Sequence, residues 1–532
     1  MRSALQADRP AAPAVRLPTA LVLAALAGLA LWAAFPPIAI GWSAVVGSAL
    51  LALACWRAPL RRGALVGLIA GGFFFGPLLE WMQVIGDDAW FGLALLCAAW
   101  LALVGGAVSL VTRLPGAPVW VAAVWVLGEA LRSRIPLGGF PWGTVGFAQP
   151  DTALGGWAWL GGMPVASFAV VLVGAVLANV VVLVRRRPMP VRPLVVWSVV
   201  AVGVVVLPTL VVPLGRADPV GTATIAVVQG GTPQMGMGAM DVRRAVLDNH
   251  VRQTLDLAAA IEAGSVPRPA FVLWPENSSD IDLFADADAA AAVSAAAKAV
   301  GVPILVGVVT AVPGRSDAVW NAGVVWDPVA GPTQMYVKTH PVPFGEYVPF
   351  RGILTRFIDR LDRVPRDMLA GDRPGNLTIG GVDVGNVICF EIAYGDVVDA
   401  VVDGGAQVIT VQTNNATYGG TSQPAQQLQI SRMRAIETGR SVLVAATSGI
   451  SAVIAADGSV SERLDEGAEG WLVPTVATYD TRTPGTVLGA ALELAGCALA
   501  VGAITVAAVG ARRARRHTGS TAAPQVAPTG IT

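Results

Sequence analysis

The stretch Val387-Ile388-Cys389-Phe390-Glu391 sets a thiol at the end of an apolar run, with a carboxylate two residues further on. The other cysteines, Cys55, Cys97 and Cys497, lie inside long apolar stretches, so Cys389 is the thiol of the polar half of the chain. A thiol at a strand end beside charge is where a nucleophile is presented; a free cysteine also serves as a small buried hydrophobe. Two more ionisable residues share the setting. Glu276 follows Trp274-Pro275 and Lys338 follows Tyr336-Val337, each closing a short apolar run beside a Pro- or Gly-rich loop. Singly, a strand-end Glu or Lys is ordinary solvated surface. Together the three form a chemical set. A thiol is only partly ionised at neutral pH. A carboxylate can accept its proton, and an ammonium can stabilise both a thiolate and the oxyanion of a tetrahedral intermediate. A Cys–His pairing is the weaker alternative, because His250 falls on an amphipathic helical pattern and His340 in a Pro-flanked loop. There is no Cys-x-x-Cys, no helical His pair and no Asp-rich loop, and Gly230-Gly231 lacks the continuation of a phosphate loop, so neither metal nor cofactor is expected.

The elements that must position these groups are short strands. Glu276 follows 271–273, Lys338 follows 334–337 in a hairpin with 320–326, and Cys389 ends 384–389. Further strands are expected at 223–229, 304–309, 407–412, 442–445 and 451–455. Helices are expected at 242–262, 285–300 and 423–439, the last with Gly439 as its C-cap. Strands and helices interleave, which predicts an α/β layered domain over 220–482.

The rest of the chain is of another kind. Of 532 residues only 14% are charged and 54% are apolar, far from a soluble protein's balance. Apolar runs long enough to span a bilayer are expected within 17–214 as seven segments: 17–35, 39–56, 64–85, 91–112, 118–131, 163–184 and 193–214. An eighth is expected at 486–511. Residues 1–16 and 512–532 then form a cytoplasmic N-terminal segment and a disordered cytoplasmic tail. Arg57, Arg61, Arg62, Arg113, Arg185, Arg186, Arg187, Arg192 and the arginines after 511 fall on one side of this arrangement. The excess of positive charge on cytoplasmic loops puts 220–482 outside the cytoplasm. Glu80, Glu129 and Glu493 interrupt spans; Arg132 is the expected partner of Glu129. A net charge of +0 gives no footprint for nucleic acid.

With these residues in view, the chain resembles the carbon–nitrogen hydrolase (nitrilase) superfamily, and within it the membrane branch, apolipoprotein N-acyltransferase. The resemblance is carried by Trp274-Pro275-Glu276-Asn277, by Tyr336-Val337-Lys338 running into Pro343-Phe344-Gly345-Glu346-Tyr347-Val348-Pro349, and by Cys389-Phe390-Glu391. Thr413-Asn414-Asn415-Ala416-Thr417-Tyr418-Gly419, Ser431-Arg432-Met433-Arg434-Ala435-Ile436-Glu437 and Gly139-Phe140-Pro141-Trp142 complete it. It implies an α-β-β-α sandwich joined to a polytopic helical membrane domain. It implies Cys389 as nucleophile through a thioester, Glu276 as general base and acid, Lys338 at the oxyanion, and Glu346 and Glu391 as supporting acids. The implied reaction moves a fatty acyl chain from a phospholipid donor to the α-amino group of the diacylglyceryl-cysteine of an apolipoprotein. It would be carried out by a monomer in the bacterial inner membrane, with the catalytic domain on the extracytoplasmic side. Two positions depart from the family pattern: Phe390 stands where a Tyr is common, and the loop Gln234-Met235-Gly236-Met237-Gly238 offers methionines where a Trp is common.

Two other readings fit fewer features. A membrane-anchored amidase or nitrilase would use the same three residues but needs one tether, not eight spans. A transporter or receptor with a binding ectodomain would not need Cys389.

Overall fold

The computed structural model describes residues 14–238, 242–356 and 358–520. Of the expected cytoplasmic segment 1–16 and the expected disordered tail 512–532, residues 1–13 and 521–532 lie outside the described residues, while 512–520 are helical rather than disordered because they continue the preceding apolar helix.

The apolar runs fold as helices α1 (Leu17–Trp32), α2 (Ser43–Cys55), α3 (Leu60–Leu78), α4 (Asp87–Val111), α5 (Ala117–Arg132), α6 (Gly156–Val184) and α7 (Val191–Gly215). By length and composition, α4, α6, α7 and the C-terminal apolar helix can each cross a membrane. α3 and α4 pack through small residues. A Cβ on Gly67 would lie 2.2 Å from the Leu101 carbonyl oxygen, and one on Gly63 2.5 Å from that of Gly105, the close approach that lets apolar helices associate without a hydrophobic driving force. α6 begins earlier than the expected 163 and is broken at Gly161 and Gly162, whose backbone angles are not helical. Glu129 and Arg132 do not form the expected pair. Glu129 accepts from Trp125 Nε1 and Val145 N–H, both at 2.9 Å, while Arg132 donates to the carbonyls of Phe140 and Trp142. The guanidinium thus ties the loop after α5 back onto the helix end.

The remaining helices are α8 (Ala245–Glu262), α9 (Ala287–Val300), α10 (Arg351–Leu354), α11 (Gly395–Asp403), α12 (Gln423–Thr438) and α13 (Pro484–Ser520). α13 continues past the expected 511. Two sheets lie between them. The first has the order β13 (Gly470–Leu472), β1 (Gly221–Gln229), β2 (Phe271–Leu273), β3 (Ile304–Val312), β4 (Arg315–Asp327), β5 (Gly331–Val337), with β14 (Thr475–Thr478) on β1 and β6 (Asp367–Met368) on β4. The second has the order β12 (Val460–Leu464), β11 (Ser451–Ile454), β10 (Val442–Ala446), β9 (Val408–Thr413), β8 (Val382–Ile388), β7 (Asn376–Ile379). Phe271, Leu273, Leu305 and Val325 of the first sheet meet Val384, Ile388, Leu443 and Ala445 of the second in one buried layer. α8 and α9 cover the outer face of the first sheet, and α11 and α12 cover the second. The domain is therefore an α-β-β-α sandwich.

The membrane helices meet this domain at one end. The α12 side chain Gln426 is 1% exposed and accepts from Trp142 Nε1 at 2.7 Å and Trp81 Nε1 at 3.2 Å, while donating to the Pro36 and Leu78 carbonyls. Arg360 pairs with Asp88 and Arg432 with Asp151. Arg57, Arg113 and Arg186 sit at the opposite ends of their helices from these contacts.

Candidate active site

β2, β5 and β8 end on the same side of the sandwich, and the residue types that stand there are a carboxylate, an ammonium and a thiol. Lys338, the residue after β5, is 1% exposed. Its Nζ donates to Glu276 Oε1 at 3.2 Å and to Glu346 Oε1 at 2.9 Å. Burial disfavours the ammonium, but the carboxylates of Glu276 and Glu346 hold its pKa well above the ordinary lysine value. Glu276 lies on a loop that crosses β3. A Cβ on Gly307 would come 2.1 Å from the Pro275 carbonyl oxygen, so glycine is what lets that loop approach the strand. Asn414 N–H donates to Glu276 Oε2 at 2.9 Å.

Cys389 is the residue after β8 and adopts φ +56°, a left-handed conformation that is strained for a side chain other than Gly, Asn or Asp. Its turn is held from three sides. Thr413 Oγ1 donates to Sγ at 3.3 Å and Gln427 Nε2 to the Cys389 carbonyl at 3.1 Å. Glu391, fully buried, accepts from Ile388 N–H at 2.7 Å, Thr339 N–H at 2.7 Å, His340 N–H at 3.1 Å and the Tyr336 hydroxyl at 2.9 Å. Burial, and next the Glu276 charge, push the Cys389 thiol up to about 12, against a smaller opposing effect of Lys338. Burial and the Glu276 charge thus favour the protonated thiol, and the sulfur becomes a nucleophile as its proton leaves.

The sequence-derived residues divide into two groups here. Glu276, Lys338 and Glu346 share hydrogen bonds, and Cys389 stands within reach of the charges of Glu276 and Lys338. Glu391 touches neither Lys338 nor the thiol; it ties the end of β8 to the end of β5. His250 is buried in the layer between α8 and the first sheet, accepting from Gly230 N–H at 3.1 Å, with its pKa lowered to about 4 by burial. His340 pairs with Asp396 at 3.4 Å, which raises its pKa. Asn321 escaped the reading of the sequence, and Thr413 entered it within the 413–419 motif without a role at the sulfur. The signal for Asn321 was a lone amide inside an apolar strand, since buried polar groups are there to be bonded.

Phe390, the residue after Cys389, enters an aromatic cluster. Phe390 stacks on Trp142 at 5.4 Å and on Phe140 at 5.6 Å, both from the loop between α5 and α6. Trp81, after α3, packs edge-on against Trp142 and Tyr418. The ring at 390 is used by its faces, which is why phenylalanine serves there. The methionine loop lies on the 416–419 turn, through Gly236 N–H to the Ala416 carbonyl at 2.8 Å and Met235 against Gly419.

Residues 27–176 match the family model described as apolipoprotein N-acyltransferase N-terminal domain, and 252–483 match that described as carbon–nitrogen hydrolase. The chain is 38% identical to an apolipoprotein N-acyltransferase of Mycolicibacterium smegmatis, over 90% of this chain and 84% of that one. It is 31% identical to another from Nitrosomonas europaea, over 93% and 98%. A solved amidase from Nesterenkonia sp. aligns with 51% of this chain and 95% of its own, at 17% identity and TM-score 0.34.

Proposed function

The chain belongs to the apolipoprotein N-acyltransferase family, and from that we propose that Cys389 is the residue that carries the acyl group between the two substrates. The protein is a membrane acyltransferase of lipoprotein maturation: it moves a fatty acyl chain from a phospholipid to the N-terminal amine of a diacylglyceryl-cysteine. In this reading the thiol proton of Cys389 passes to Glu276 as the sulfur attacks the ester carbonyl. Lys338 stabilises the oxyanion. The same proton then leaves with the lysophospholipid alkoxide, and a thioester remains. The acceptor amine attacks the thioester, gives a proton to Glu276, and expels the sulfur, which regains a proton. Glu346 keeps Lys338 charged between two carboxylates, and Glu391 holds the Cys389 turn in register with Lys338.

The observation that carries this reading is the contrast between two neighbouring residues: Cys389 lies within reach of the charges of Glu276 and Lys338, the latter clamped by Glu276 and Glu346, while Phe390 stacks on Trp142 and Phe140. An apolar wall excludes water from a thioester and suits an acyl chain. We further propose that residues 17–214 and 486–511 lie in the inner membrane as eight spans, with 220–482 outside the cytoplasm. The gathering of arginines at the helix ends away from the α/β domain supports this sidedness. A single chain supplies Glu276, Lys338, Cys389, Glu346 and Glu391, which supports a monomer as the working unit.

The test is to incubate the full chain in micelles with a defined phospholipid and weigh it. The expected result is one acyl chain on Cys389, discharged by a diacylglyceryl-cysteinyl peptide. A chain that hydrolyses small amides but takes no acyl group from lipid would favour the amidase reading instead.

A further inference from the structure

Asn321 lies in β4 and is 2% exposed. Its Nδ2 donates at 2.7 Å to Glu276 Oε1 and at 2.7 Å to Glu346 Oε1. These are the same two oxygens that accept from Lys338 Nζ. Its backbone carbonyl accepts from Lys338 N–H at 2.9 Å. One residue therefore fixes the backbone of the ammonium and also bridges both carboxylates that flank it. The far end of the amide, Oδ1, is buried without a hydrogen-bond partner among the described residues. An unsatisfied buried carbonyl destabilises the fold, so the amide at 321 is not there for stability alone.

We propose that Asn321 is a positioning residue for acyl transfer: its amide holds Glu276 Oε1 and Glu346 Oε1 side by side and leaves Glu276 Oε2 as the oxygen that takes the thiol proton. The inference rests on the reading of Cys389 as the acylated nucleophile. Two neighbouring carboxylates tend to share a proton, and a Glu276 that already holds one cannot act as base. The charged and titratable groups that face the pair are Lys338 from the end of β5, Cys389 from the end of β8, and Tyr418 from the turn after β9, with Glu391 acting on Lys338. Of these only Lys338 is cationic. The two hydrogens of the Asn321 amide, one for each carboxylate, supply what a single ammonium cannot. Donor counting then selects the oxygen. Among the described residues Glu276 Oε1 receives two donors, whereas Oε2 receives one, Asn414 N–H, which leaves a lone pair for the thiol proton. In the acylation step the S–H bond breaks, that proton goes to Glu276 Oε2, and the sulfur bonds the ester carbonyl carbon. The proton is then returned to the departing alkoxide.

The experiment follows single-turnover acylation of Cys389 by a defined phospholipid in micelles, read by intact mass from pH 5 to 9. It uses the full chain as wild type, Asn321→Ala and Asn321→Asp, with a melting curve for each. Loss of the amide donors raises the pKa of the carboxylate pair, so the acidic limb of the rate profile in Asn321→Ala moves up by about one unit, a tenfold loss on that limb. Asn321→Asp keeps the shape but replaces donors with a third acid, and its limb moves further. A uniform loss of rate at every pH with the limb unmoved in both variants overturns the proposal and leaves Asn321 a packing residue. Absence of any adduct in the wild type overturns instead the reading of Cys389 on which it rests.

Discussion

Cys389 and Phe390 lead into two regions built on opposite principles. On one side Lys338, Glu276, Glu346 and Asn321 form a set of charge-assisted hydrogen bonds supplied wholly by strands and loops of the α/β domain. On the other, Phe390, Trp142, Phe140, Trp81 and Tyr418 form an apolar wall, three of the five supplied by the membrane helices and their loops. The difference teaches a division of labour. The charged side fits the bond making and breaking that any enzyme with this trio performs. The aromatic side fits the delivery of an acyl chain that never leaves an apolar environment. Gln426 joins the two regions, since its amide holds both Trp81 and Trp142 while belonging to the helix that covers the second sheet.

Substitutions should break this comparison unequally. Cys389→Ala is expected to abolish adduct formation and turnover with every substrate. Glu276→Gln and Lys338→Ala should each lower the rate by roughly 10²–10⁴-fold for lipid and soluble esters alike, measured as single-turnover acylation. Lys338→Ala also leaves two buried carboxylates facing each other. It should cost about 3–5 kcal/mol of stability where they stay ionised, which a melting curve in the same detergent would read. Gln426→Leu, at the junction, should lower transfer from phospholipid by about tenfold more than acylation by a short soluble ester; we base the figure on misplacement costs at reacting centres. Phe390→Tyr should change either rate by less than about threefold, because the ring contributes its faces to the stack; a collapse of folding would contradict the stacked placement of that side chain.

The sequence made the charged side legible and the aromatic side only partly so. Glu276, Lys338 and Cys389 end strands whose apolar runs are short and bounded by Pro and Gly, so their setting could be read locally. The strand 271–273 and the helix 423–438 with Gly439 as cap appear where expected. What local pattern does not carry is convergence. Asn321 looks like an interruption in a strand until β4 lies beside Glu276 and Glu346. Arg132 was expected to pair with Glu129 at helical spacing, yet bonds loop carbonyls instead, because the chain folds back after α5 and leaves those carbonyls needing donors. The stacking of Trp142 on Phe390 joins residues 248 positions apart by number, a relation that no window of sequence reveals. The strands β7, β12, β13 and β14 are edge pieces of three to five residues, too short for an alternating pattern to stand out.

The account stands most directly on the ratio of two rates in Trp142→Ala: acylation of Cys389 by phospholipid and acylation by a short water-soluble ester. If the membrane loop builds the apolar side of the site, the lipid rate falls at least about tenfold more than the soluble-ester rate. An equal fall in both, with the melting temperature unchanged, would contradict the division of Cys389's surroundings into a chemical side and a lipid side.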